Sequence, residues 1–97
     1  MIGPHPAVHP GEILREEFLL PLKLTPYAVA KACRVPRTRI ERLAHETAPV
    51  TADTALRLGR LFNTGPEFWM NLQSLYDLTN AATALTDLDA IEPVAAA

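Results

Sequence analysis

Pro21, Pro26, Pro36 and Pro66 partition this chain into short segments, and each of these prolines marks a start or a stop. Proline fixes φ and lacks an N–H, so it suits the first turn of a helix and disrupts the interior. Thr25-Pro26 pairs an N-cap with proline at the first helical position. Thr51 caps a second start, with Asp53 near the positive end of that helix dipole. Gly65-Pro66-Glu67 opens a third. Between these signals apolar residues recur at three- and four-residue steps. The spacing predicts a helix over 11–20 stopped by Pro21, one over 26–33, and one opened by Pro36 and running to about His45. A fourth starts at Thr51 with Ala55, Leu58 and Phe62 inward. The fifth and longest extends from Gly65 to about Ala82. With no alternating strand pattern, the chain is expected to be an all-α, five-helix domain over 11–82. Residues 1–10, rich in proline, read as an extended N-terminal arm, and 83–97 as a mobile acidic, Ala-rich tail.

A chain of 97 residues holds one domain, and 48% apolar residues with only 6% aromatic imply a largely aliphatic core. No apolar run reaches the roughly 20 residues needed to span a bilayer, and the first residues lack the charge and apolar stretch of a secretion signal. The lone Cys33 excludes an internal disulfide and points to a reducing cytoplasm; its apolar neighbours make it a packed thiol. His5, His9, Glu12 and His45 match no helical metal-ligand spacing, so no metal is expected. With no Gly-rich phosphate loop, no nucleophile elbow and no usefully spaced His–carboxylate pair, neither an enzyme nor a cofactor is expected.

Charge distribution is more informative than its sum. The net charge is −2, yet four of the seven arginines fall within residues 34–43, RVPRTRIERL, and the chain from Asp77 onward carries four acids and no base. Val29, Ala30, Cys33, Val35, Ile40 and Leu43 supply the apolar set of a helix-turn-helix, with the small Ala30 where two helices cross closely. A wheel with Ile40 inward keeps Leu43 and Ala44 inside; Thr38, Glu41, Arg42 and His45 fall outside, and Arg39 lies on the flank. Arg37 occupies the first turn. A recognition helix presents its residues to a major groove in this way, and an arginine fork donates two bonds to guanine O6 and N7. A basic face on the second member of a tight helix pair, in an acidic protein, favours DNA over a merely solvated surface.

Three blocks resemble one family: HPGEILREEFLLPLKLTPYAVAKA, VPRTRIERL, and TADTALRLGRLFNTGPEFWMNLQSLYDL. Over residues 7–80 the sequence is similar to HigA-type antitoxins, the plasmid-maintenance antidote branch of the Xre/Cro-like regulators. That resemblance implies a lambda-repressor-like fold and a dimer that binds operator DNA, neutralises a RelE-like (HigB-like) ribonuclease toxin and represses their shared promoter. DNA contact would fall on Pro36, Arg37, Thr38, Arg39, Glu41 and Arg42, with His45 near the phosphates. Two positions depart from the family pattern. The turn between the helices commonly carries glycine in a left-handed conformation and here has Arg34, at a cost of about 1 kcal/mol. The segment after the third helix has Glu46 where a base is common, which predicts a weaker hold on phosphate.

In the fifth helix Phe68 and Trp69 are expected as core anchors. Trp69, Leu72, Leu75, Tyr76 and Thr79 form a stripe larger than one small domain covers, and a homodimer interface is the expected use. Two other readings stand beside the antitoxin: a solitary regulator without a toxin, and a toxin-binding module that has lost DNA.

Overall fold

The computed structural model describes residues 7–95, and among these no strand occurs. The chain enters its first helix earlier than its sequence implies. His9 Nδ1 accepts from the Gly11 N–H at 2.9 Å, capping a helix that begins at Pro10. His9 and Pro10 are therefore buried parts of the domain rather than an extended arm; the rest of that arm, residues 1–6, lies outside the described residues. The first helix runs Pro10–Ile13, continues as a π-helical stretch Leu14–Leu19 and closes with Leu20–Leu22; we call the whole, 10–22, α1. Pro21 does not stop it. The Leu20 N–H already bonds to the Arg15 carbonyl five residues back. In that wider turn the ladder has left the α-helical register before the ring is reached.

The later starts follow their caps. Thr25 Oγ1 accepts from the Ala28 N–H at 3.1 Å ahead of α2, Pro26–Cys33. Helix α3 is Arg37–Ala44, with Pro36 as the extended residue before it rather than its first member. Thr51 Oγ1 accepts from the Thr54 N–H at 3.3 Å ahead of α4, Ala52–Leu61. Helix α5, Pro66–Ala84, is the longest at 19 residues. A single 3-10 turn, Leu88–Ala90, follows in an exposed segment.

Each of the first four helices is closed by a residue in the left-handed region that is not glycine: Lys23 (φ 55°), Arg34 (62°), Glu46 (64°) and Asn63 (57°). A side chain there costs on the order of 1 kcal/mol, so the turns are held by their surroundings. Those surroundings are a core of Leu14, Leu19, Val29, Ala30, Cys33, Ile40, Leu43, Ala44, Val50, Ala55, Leu58 and Trp69, all buried. All three phenylalanines meet the lone tryptophan at one end: the rings of Phe18 and Phe68 lie 5.1 and 5.0 Å from Trp69, and Phe18 lies 4.7 Å from Phe62. Trp69 Nε1 donates to Thr64 Oγ1 at 2.9 Å, which lets an indole be fully buried without an orphaned donor.

Two contacts set α3 against the rest. A methyl group on Gly11 would overlap the Leu43 carbonyl oxygen, so α1 and α3 approach to backbone distance only because residue 11 has no side chain. Buried Gln73 on α5 accepts from the Val50 N–H at 2.7 Å and donates to Asp77 at 2.9 Å, anchoring the loop that follows α3.

Candidate nucleic-acid interface

Arg34, Val35 and Pro36 separate α2 from α3. Arg34 takes the left-handed conformation expected of the turn, and the Val35 N–H bonds to the Ala30 carbonyl at 3.0 Å, wrapping the chain over the α2 terminus. Val29, Ala30 and Cys33 on α2 then bury against Ile40 and Leu43 on α3, each of the latter 1% exposed. With those two side chains inward, Pro36, Arg37, Thr38, Arg39, Arg42 and His45 are exposed and Glu41 is half-buried. The residues singled out by the wheel share one solvent face. They border a groove of about 380 Å³ between α3 and the start of α4, lined by Pro36, Thr38, Arg39 and Arg42 on one side and Pro49, Thr51 and Thr54 on the other.

The arginines of this face are held differently. Arg37 Nε lies 3.3 Å from Glu41 one turn along the same helix. Arg39 bonds to Asp53 in the first turn of α4. Arg42 has no ion pair among the described residues. Asp53 also takes Arg57 Nε at 2.9 Å. Hydrogen bonds from Arg57 and Arg39 hold the Asp53 carboxyl below the usual carboxylate range, so it is ionised at neutral pH. Arg57 in turn donates to the Cys33 carbonyl at 2.8 Å, satisfying the end of α2. Burial pushes the Cys33 thiol up, which disfavours its nucleophilic form.

Glu46 is engaged within the chain. Its carboxylate receives Arg15 at 3.1 Å, and the same guanidinium donates to the Ala44 carbonyl at 2.6 Å, capping the end of α3. Hydrogen bonds to Glu46 and then Glu16 push the Arg15 guanidinium further up. The acid is thus paired across two helices. Nothing in the sequence announces this, because Arg15 and Glu46 are 31 residues apart. Asp53 was legible only as a dipole partner; its two arginine bonds come from tertiary placement.

On α5 the stripe divides. Trp69, assigned above to both core and dimer, is 0% exposed inside its own chain and has no surface to offer a second copy. Thr79 is buried, Leu72 packs half-buried against the core, and Tyr76 is half-buried edge-on to His9, with ring centroids 4.8 Å apart. Leu75 is exposed, and beside it the sequence reading missed Leu78, more open still. Among the described residues no three His, Cys, Asp or Glu side chains gather as a metal site, and no helix is long and apolar enough to cross a membrane.

The fold and the α2–α3 pair define a helix-turn-helix domain. No protein-family model matches the chain, but individual relatives do. It is 46% identical over 89 residues to virulence-associated protein I of Dichelobacter nodosus, covering 92% of this chain and 82% of that protein. It is 38% identical over 68 residues to antitoxin HigA-1 of Vibrio cholerae, covering 70% and 64%. Among solved structures it superposes on Pseudomonas aeruginosa PA4674 in complex with its operator DNA at a TM-score of 0.89 and 44% identity, over 95% of this chain and all of that one. The Pseudomonas aeruginosa antitoxin HigA with the higBA promoter gives 0.84 and 42%, over 92% and 99%. The chain belongs to the HigA-type antitoxin family of helix-turn-helix regulators, not to a family of enzymes.

Proposed function

We propose that this chain is a cytoplasmic, dimeric antitoxin that binds an operator with α3 in the major groove, represses its own promoter and neutralises a RelE-like toxin. The observation that carries the DNA reading is the face of α3: Ile40 and Leu43 are buried while Arg37, Thr38, Arg39 and Arg42 stand open beside the α3–α4 groove. Relatives more than 40% identical over nearly the whole chain have structures with operator or promoter DNA, which supports the same use here. Arg37 and Arg42 read bases, Thr38 contacts a base or a thymine methyl, and His45 lies toward the phosphates beyond the end of α3. Glu41 pairs with Arg37 in the free protein and accepts from a cytosine amine in the complex.

Two recognition helices acting together need a second copy, and the exposed flank of α5 at Leu75 and Leu78 is the surface we assign to it. The test is a mobility shift on the protein's own promoter with Arg37→Ala combined with Arg42→Ala. About 1–3 kcal/mol is lost per bidentate contact, so operator affinity falls at least about 30-fold while circular dichroism stays helical. Unchanged affinity in that double variant refutes α3 as the reading helix. Co-expression with a RelE-like toxin, taken from the genomic neighbour where one is encoded there, tests the toxin half: rescue of growth supports it, and toxicity undiminished by this chain sinks it.

A further inference from the structure

Among the described residues, Arg39 is the one guanidinium of the α3 face tied to another helix. Its partner Asp53 uses a single oxygen, Oδ2, for both Arg39 and Arg57. Arg57 is itself fixed at its other end by the Cys33 carbonyl. One carboxylate oxygen therefore joins the end of α2, the outer face of α3 and the first turn of α4. Arg57 is doubly anchored and acts as the post; Arg39 is the group held by it through Asp53. The arrangement stays accessible, with Arg39 41% and Asp53 52% exposed at the side chain, and it stands at the edge of the α3–α4 groove. Asp53 engages only one nitrogen of Arg39, NH1, which leaves the remaining guanidinium donors free for a ligand.

We propose that Asp53 is a positioning residue for DNA recognition, holding Arg39 at one place on the groove wall before the duplex arrives. This rests on α3 being the reading helix. Two consequences follow from the geometry. A side chain ordered in advance loses less freedom on making its contact, which favours the one duplex whose groups match that position. The nearby carboxylate also offsets part of Arg39's charge, so a phosphate offered anywhere else attracts it less. Both effects raise the preference for operator over random DNA, the first by strengthening operator binding and the second by weakening random binding. An exposed ion pair contributes little to folding, so the cost of losing Asp53 lies in recognition.

The experiment compares wild type, Asp53→Asn, Arg39→Ala and the double variant, each titrated by fluorescence anisotropy against the promoter duplex and a scrambled duplex of equal length, with circular dichroism and melting temperature alongside. Asn keeps the shape and removes the charge. In Asp53→Asn the operator-to-random affinity ratio falls about tenfold, operator binding weakening while random binding holds or rises. In the Arg39→Ala background the same change moves the ratio less than about twofold, because a positioning residue has nothing left to position. A ratio unchanged in Asp53→Asn overturns the proposal. So does a parallel loss on both duplexes with a lowered melting temperature, which is a structural role, and so do independent effects in the double variant. A wild type with no operator preference overturns the reading of α3 as well; a wild-type preference that Asp53→Asn leaves intact overturns this inference alone.

Discussion

The outward faces of α3 and α5 differ in kind. On α3 the exposed groups are mostly charged, and two of its three arginines are already engaged, Arg37 by Glu41 and Arg39 by Asp53, while Arg15 and Glu46 hold the helix end. On α5 the exposed flank is apolar, with Leu75 and Leu78 open to solvent. A solvated charge is stable where it stands and gains from a polyanion. An apolar side chain in water gains only by being covered, at roughly 25 cal/mol per Å². The contrast teaches that exposure has two meanings in one small domain, and that the chemistry of what is exposed separates them.

The largest effect should come from charging the apolar flank. Leu75→Glu with Leu78→Glu places two acids where a second copy is expected to bury leucines. Sedimentation velocity should then show a monomer, and operator affinity should drop by about a hundredfold or more as two linked half-site contacts become separate ones. A variant that stays dimeric would show that the flank is ordinary surface and remove half of the contrast. Gly11→Ala probes the other face from beneath. With no room against the Leu43 carbonyl, α1 must shift away from α3, and denaturant unfolding should show a loss of about 1–3 kcal/mol. A neutral result would mean that α3 is not fixed by α1. The smallest change is Arg34→Gly. It relieves the left-handed turn at φ 62° and should raise stability by up to about 1 kcal/mol, read as a higher melting temperature. Lowered stability would show that the Arg34 side chain, not only its backbone, closes the turn.

The helices were readable because their signals are local. Thr25-Pro26, Thr51 and Gly65-Pro66 act within a turn, and the inward set Ile40 and Leu43 follows from a period of 3.6. The exposed basic face of α3 was legible for the same reason, since burying one arc of a short helix leaves the other in water. Errors arose where local rules met a neighbour. Pro21 reads as a stop, but the π turn carries α1 past it. His9 reads as part of an arm, yet it caps α1 and meets Tyr76. Trp69 reads as both core anchor and part of the dimer stripe, and the three phenylalanine rings that enclose it leave only the first. The pairing of Glu46 with Arg15, which reaches it from another helix, has no local signal either.

What the amino-acid order determined by itself was therefore the set of helices, their caps and which arc of each is apolar, because those depend on interactions within about four residues. The tertiary structure decided which exposed charges are already occupied. Asp53 meets Arg39, and Arg15 meets Ala44 and Glu46, across gaps of 14 to 31 residues. Ion pairs of this sort have no period and no local grammar; they exist only once packing has brought two helix ends together.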